Sequence, residues 1–577
     1  MSFISRRFVA LTGVVACAAA AASVVVSTAS SASAHRVTGA NAASTRTAST
    51  EGPILTPFRH PRPSGLRPYT GAPGTPSPWT PLKHPPPFKT PGTMLLESNG
   101  TVLVHDEPDN NVTGGTVKWW KLTPDSKGSY IDGHWSRIAS MPAGYSPLYF
   151  GSAILPDGKM IVEGGEYIGE KAVWSDRGAI YSPWNNHWTA VKPPRGWTNM
   201  GDAASDVLDN GTFMLMHPCN TCVTDPDFTV DDALFNENKL TWKVIPGTGK
   251  ADPNDEEGWT LEPNGDLLTV DTWAPGNTEL FDPRTDHWHF AGATYATTGA
   301  FNVINPYPVV EVGPQVEMPG GNTFVVGAGT STDEYPYPCT TDAPTNTAVY
   351  HYRYHLKQAE ANSWSPGPQI PPIDGEQYDS TDGPGSILPD GNVLFVVSAC
   401  TYNIPTHFFV YKAKSNSLTQ VPDTANAPDD TSYQTRLLAL PNGQVLFNDG
   451  SDEMEVYTAG GTPNKAWRPS IASLSAKKLA PGDTYTLSGK QLAGLDQGAA
   501  YGDDVQDNTN FPLVRITNSS TGVVTYARTH DWSSVSVAPG THSKTRFTVP
   551  KSTPKGKSTL VVVANGIASA PVTITIS

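Results

Sequence analysis

Seven tight-turn signatures recur along this 577-residue chain at near-constant spacing, and that repeat restricts the fold more than any other feature. They are Asn99-Gly100, Asp157-Gly158, Asn210-Gly211, Asn264-Gly265, Gly320-Gly321, Asp390-Gly391 and Asn442-Gly443. Successive turn glycines lie 58, 53, 54, 56, 70 and 52 residues apart. These dipeptides supply the positive φ angles that two-residue hairpin loops need. A β-rich run follows each turn, such as Thr101–Val104 and Asn392–Val396. The second half of each unit repeats as well. Tyr181 to Trp188, Phe235 to Trp242, Phe281 to Trp288 and Tyr411 to Leu418 each set an apolar residue seven positions after an aromatic. Trp135, Trp364 and Trp467 are expected at the corresponding place, with altered spacing, as contacts between neighbouring units. Two hairpins per unit predict seven four-stranded blades around a channel. Only 16% of residues are charged, against 52 Gly and 53 Pro, which suits short strands and turns rather than long helices.

The flanking segments read differently. Arg6 and Arg7 precede an apolar run from Phe8 to Val26, and Ala32-Ser33-Ala34 offers a cleavage site, so residues 1–34 read as an export signal. Two rival readings also export the chain: a lipoprotein box ending at Cys17, and an imperfect twin-arginine signal at Arg6-Arg7. Residues 35–88 are rich in Pro, Ser, Thr, Gly and Ala and read as a disordered stalk. The repeats place the propeller at 89–468. Residues 469–577 change rhythm, with strand-like runs at Thr484–Leu487, Leu513–Ile516, Arg546–Val549, Ser558–Val563 and Val572–Ile576, and suit a β-sandwich of immunoglobulin type. No later stretch is long and apolar enough to cross a bilayer as a helix. A formal net charge of −15 and the lack of a later basic run argue against nucleic acid as a partner. A monomer is expected. Beyond the signal stand Cys219, Cys222, Cys339 and Cys400. Disulfides Cys219–Cys222 and Cys339–Cys400 are the preferred pairing; a metal site of His217, Cys219 and Cys222 is the alternative.

In order and spacing over roughly residues 90–577, the chain resembles galactose oxidase and glyoxal oxidase, the copper-radical oxidases. These carry a kelch propeller followed by an immunoglobulin-like early-set domain. The stretch 492–504 also looks like bacterial kelch-containing proteins of that superfamily. The resemblance implies roles for Tyr149, eight residues before Asp157, and Tyr433, nine before Asn442, as the two copper-site tyrosines. It implies His530 as the histidine that the C-terminal domain inserts into the channel. Two parts depart from the pattern. Gln434 stands where the oxidases have a ligand histidine, and the first blade offers Pro91 and no cysteine for the tyrosine cross-link. Copper is therefore not expected, since an amide is a poor substitute for imidazole at Cu(II).

Equivalent blades allow a comparison of equivalent positions. Eight residues before each turn stand Pro91, Tyr149, Asp202, Glu256, Val312, Asp382 and Gln434, with Glu311 and Tyr433 beside the last exceptions. This position should begin the innermost strand, so four acids from the third to sixth blades are expected to ring one mouth of the channel. Asp255, Glu257 and Asp379 should add to the field. Such a ring calls for neutralisation. Calcium held by Asp202, Glu256 and Asp382 would supply it. Alternatively, Asp202, Glu256, Glu311, Asp382 and Gln434 would bind sugar hydroxyls, with aromatic stacking. Acid–base glycan cleavage by a carboxylate pair is a further option, and ordinary solvated loop acids are the simplest one. The same face carries the long loops 165–177, 218–231, 330–346 and 399–406, with Tyr167, Trp174, Trp273, Tyr335, Tyr337 and Tyr402 as aromatic candidates. No GxSxG, HExxH, Walker or dinucleotide motif occurs. The leading expectation is an exported module binding carbohydrate or another surface ligand. The alternatives are an altered copper-radical oxidase, then a glycan hydrolase or lyase.

Overall fold

The computed structural model of the chain describes residues 66–107, 115–169, 171–201, 204–220, 228–254, 256–274, 276–294, 303, 311–329, 344–352, 363–399, 402–501 and 509–577. The signal, most of the stalk, and Asp202, Cys222, Asp255, Tyr335, Tyr337, Cys339 and Cys400 therefore lie outside the described residues. No α-helix occurs among those described.

Seven antiparallel four-stranded blades follow one another. The first runs from Pro91–Leu96 outward to His134–Arg137, and the second from Gly151–Ile154 to His187–Val191. The third starts at Ser205–Val207, the fourth at Thr260–Leu261, the fifth at Gln315–Met318 and the sixth at Pro384–Ile387. The seventh starts at Arg436–Ala439, but its outermost strand is Trp79–Pro81, paired with Glu455–Tyr457. The N-terminal side of the first blade thus closes the last one. This corrects the expectation of a stalk through residue 88, and of Trp467 as the seventh blade's tryptophan. Trp467 sits in a one-turn 3₁₀ segment and its ring meets the Gly391 turn of blade six. Trp79 is buried among Phe408, Phe447 and Tyr457, and its Nε1 donates to the Pro422 carbonyl at 2.6 Å.

All seven turn glycines have positive φ, between 75° and 88°. The residues before them do not, so the loops are not the two-residue type expected. In blade two Leu155 N donates to the Lys159 carbonyl and Gly158 N to the Leu155 carbonyl. That is a type I turn closed by a left-handed glycine, the three-residue loop. The Asp157 carboxylate also accepts from Lys159 N at 2.9 Å, which favours Asp or Asn before the glycine.

The aromatic template works between blades. Tyr181 and Trp188, Phe235 and Trp242, Phe281 and Trp288, and Tyr350 and Trp364 face one another across strands. Trp188 Nε1 donates to Ala139 O, Trp242 to Lys192 O, Trp288 to Asp232 Oδ2 and Trp364 to Thr278 Oγ1, each on the preceding blade's side. One indole thereby adds buried area and a satisfied donor to each of these contacts.

After the propeller, strands from Ser470 to Ile576 form one curled nine-stranded sheet. Val524–His530 joins its two limbs by pairing with both Leu513–Asn518 and His542–Thr548. Leu487, Val514, Ile516, Phe547, Leu560 and Ile574 fill the core between them. This unit sits on the turn face: Thr529 N donates to Ser98 O, Val535 N to Asp209 O, and Arg528 pairs with Glu97 at 3.1 Å. One segment leaves it for the channel. Ala499–Tyr501 pairs antiparallel with Pro384–Ile387, adding a strand on the axial side of blade six. Tyr501 lies opposite Pro384, so the segment advances from the turn face toward the opposite mouth.

Candidate functional site

The innermost strands begin at the mouth opposite the turns, and the residues just before them carry an unusual backbone. Tyr149, Glu256 and Asp382 occupy the same place in blades two, four and six, and have φ of 51°, 56° and 48°. A side chain held in the left-handed region costs roughly 1–3 kcal/mol at each position, and such strain concentrates at functional sites. Backbone bonds hold the conformation: Glu166 N donates to Tyr149 O at 3.0 Å, and Asp382 N to Val312 O at 3.1 Å, the latter between blades.

The residue that gathers the site is Tyr402, itself at φ 64°. Its hydroxyl donates to Asp382 Oδ2 at 2.8 Å. Burial, then the negative charges of Asp382, Glu311 and Glu256, hold this phenol well above the ordinary tyrosine range, so it remains a donor. One carboxylate, Asp382, thus bonds the hydroxyl directly, while Glu311 and Glu256 of the two preceding blades add to the negative field on it. Tyr433 meets the Tyr402 ring edge-on at 5.3 Å, and Gln434 Nε2 donates to the Tyr433 hydroxyl at 3.2 Å. Tyr149 stands instead against Tyr167, with ring centroids 6.3 Å apart. Glu311 is buried, while Glu256, Asp382, Tyr402, Tyr433, Gln434 and Tyr149 are partly open to solvent.

Three expected members are placed elsewhere. His530 lies beside the Gly158 turn, at the other end of blade two's inner strand from Tyr149. There it contacts Asp531 at 3.0 Å and the Trp184 ring at 5.1 Å. The strand carrying it is the one that docks on the turn face, and the segment entering the channel is 499–501 instead. Glu257 is fully buried and turned away from the mouth, onto Lys250. Asp379 is buried and accepts from Thr381 N and Oγ1, capping its own loop.

Other groups were not singled out by sequence. Glu107 follows the second strand of blade one and packs against Gly92, leaving no room there for a Cβ. Burial pushes its carboxyl up, but the His105 ring 3.7 Å away and the Arg436 charge outweigh this and leave it lowered. Arg436 also donates to Tyr433 O at 2.7 Å, placing one buried cation behind the tyrosine. Beside the blade-one place without a cysteine thus stands a carboxylate in the positive field of Arg436. Cys219 is buried and disulfide-bonded, which removes it from the alternative metal set. His217 stacks on Trp197 at 4.2 Å, and burial lowers its pKa to about 4.

This donor set does not fit the copper-radical site. Gln434 replaces an imidazole, His530 is on the opposite face, and blade one has a carboxylate nearby but no thiol. It fits ligands that present hydroxyl donors or hard cations to oxygen acceptors.

No family model matches the chain. The Kelch-like protein terF of Aspergillus terreus is 25% identical over 266 residues, which cover 44% of this chain and 55% of that protein. The chain thus spans about half the length of this curated relative. A fungal alcohol oxidase of the AA5 family, solved in complex with copper, superposes with a TM-score of 0.48 at 14% identity, over 86% of this chain and 99% of its own. YjhT superposes with a TM-score of 0.36 at 14% identity, over 60% and 99%. The seven-bladed propeller itself is read from the sheet order of this chain.

Proposed function

We propose that the chain is an exported binding module whose channel mouth takes a carbohydrate or another polyhydroxylated surface ligand. The observation that carries this reading is the Tyr402 hydroxyl bonded to Asp382, with Tyr433 edge-on beside it and the negative field of Glu311 and Glu256 acting on it. Carboxylate oxygens accept from sugar hydroxyls, the Tyr402 hydroxyl orients Asp382, and the Tyr433 ring offers an apolar face beside it. Asp202, from the third blade, extends the same acidic set in this reading. A calcium ion shared between ligand and carboxylates is compatible with the all-oxygen donors. The C-terminal sheet, of early-set immunoglobulin type in this reading, serves as a base for the propeller. The Cys339–Cys400 pairing and a monomeric state belong to the same proposal.

A glycan array probed with the mature protein tests the mouth. Binding that falls at least about tenfold in Asp382→Asn and Glu311→Gln supports it, the scale expected when a buried charged acceptor is lost. Binding unchanged in both variants refutes the assignment. Turnover of a primary alcohol with peroxide release would instead favour the oxidase reading.

A further inference from the structure

Behind the mouth of blade four lies a second acidic group. The segment 249–259 leads from the third blade into the inner strand of the fourth, and its consecutive residues Glu256 and Glu257 serve opposite sides. Glu256 belongs to the mouth; Glu257 enters a buried cluster with Asp252 and Asp271. One carboxylate oxygen from each of these three lies within 4.8 Å of the others. That is the spread of oxygens around one calcium ion, whose ligands stand at roughly 2.3–2.6 Å.

Lys250 is present there and does not complete the cluster. Its Nζ bonds Asp252 at 2.8 Å, Glu257 at 2.9 Å and Glu279 at 3.0 Å. The second oxygens of those residues accept from Trp273 N, Thr269 Oγ1 and Ala251 N. Asp271 receives nothing: it is fully buried and neither of its oxygens has a hydrogen-bond partner. Four carboxylates against one ammonium would, when ionised, leave uncompensated negative charge in a dry interior, a costly arrangement unless something neutralises it. A solitary carboxylate oxygen aimed at two others, with no donor, is the arrangement that a cation completes.

We infer that Asp252, Glu257 and Asp271 form a structural site for a divalent cation, calcium by its oxygen-only ligands, which braces the segment presenting Glu256 to the mouth. The site is separate from the ligand-binding mouth and does not depend on that reading. Trp259, Trp273 and Trp288 border the segment, and the Trp288 ring centroid lies 5.0 Å from Lys250 Nζ, so bound terbium should be sensitised by tryptophan.

The test uses the mature protein stripped with EDTA, then titrated with terbium and with calcium. Expected are sensitised emission displaced by calcium, and a rise in Tm on calcium addition. Asp271→Asn should weaken both responses at least about tenfold, since loss even of an outer-shell partner costs metal sites 10–100-fold, while Asp382→Asn and Glu311→Gln retain them. Wild type without calcium binding, or Asp271→Asn with unchanged binding, overturns the inference. So does binding lost only in the mouth variants, which would place the ion there. Should Asp271→Asn fail to fold, an anomalous map of wild-type crystals grown with terbium decides: a peak among the three carboxylates supports the site, and its absence rejects it.

Discussion

The two ends of the channel are built from the same strands yet obey different rules. On the turn face every blade uses one solution, a type I turn with a left-handed glycine, and the C-terminal sheet rests on several of them. On the mouth face each blade differs, and left-handed backbone is borne by Tyr149, Glu256 and Asp382 in place of glycine. Where only geometry matters, glycine takes the unusual φ at little cost. Where a side chain is needed at that point, the strain is retained. The contrast supports the proposed reading of the mouth as the working face, with the turn face as scaffold.

The largest effect should come from the closure, on which both faces depend. Trp79→Ala removes a buried indole from the seventh blade and its bond to Pro422. Denaturant unfolding should show a loss of about 3–5 kcal/mol; a loss below about 1 kcal/mol would mean that the ring does not rely on this strand.

Next comes the pH dependence of two buried acids, Glu262 and Asp496. Burial raises Glu262 from 4.5 to about 8, against the bond from Thr323, and Asp496, just ahead of Ala499–Tyr501, from 3.8 to about 7, against the bond from Asn565. Acids bound more tightly to their protons when folded stabilise most at low pH, and that contribution is lost as pH rises through the folded values. Stability should therefore decline between about pH 4.5 and 8. Glu262→Gln should flatten the slope in Tm measurements across that range; an unaltered slope would remove Glu262 as its source.

The smallest effects break or sharpen the contrast itself. Gly158→Ala, at φ 80°, should cost about 1–2 kcal/mol. Glu256→Gly, at φ 56°, should gain up to about 1 kcal/mol, as relief of strain exceeds the added chain entropy, while weakening ligand binding. Equal signs for the two changes in denaturant unfolding would dissolve the distinction between the faces.

What could be read without coordinates follows the same division. The turns and the Tyr181–Trp188 type pairs are local patterns with fixed spacing, so blade number and inner-strand starts were legible. Glu256, Glu311 and Asp382 were found by comparing equivalent positions. Trp79–Pro81 was not, because three residues with a proline carry no periodicity and their partner is over 370 residues away. His530 was misplaced because the resemblance gives an order of elements, whereas the docked face depends on contacts such as Thr529 to Ser98. Glu107, Glu163 and Asp271 went unnoticed because they end or directly follow second strands, one layer behind the positions compared. A carboxylate there reads as an exposed loop acid until burial is known; Glu163 is fully buried against Gly178.

The most direct test of the mouth as working face is a titration of the strongest glycan-array ligand against wild type, Glu311→Gln, Asp382→Asn and the turn-face variant Gly158→Ala. Affinity lost in the two mouth variants and kept in Gly158→Ala is the expected result. Affinity kept in both mouth variants would contradict it.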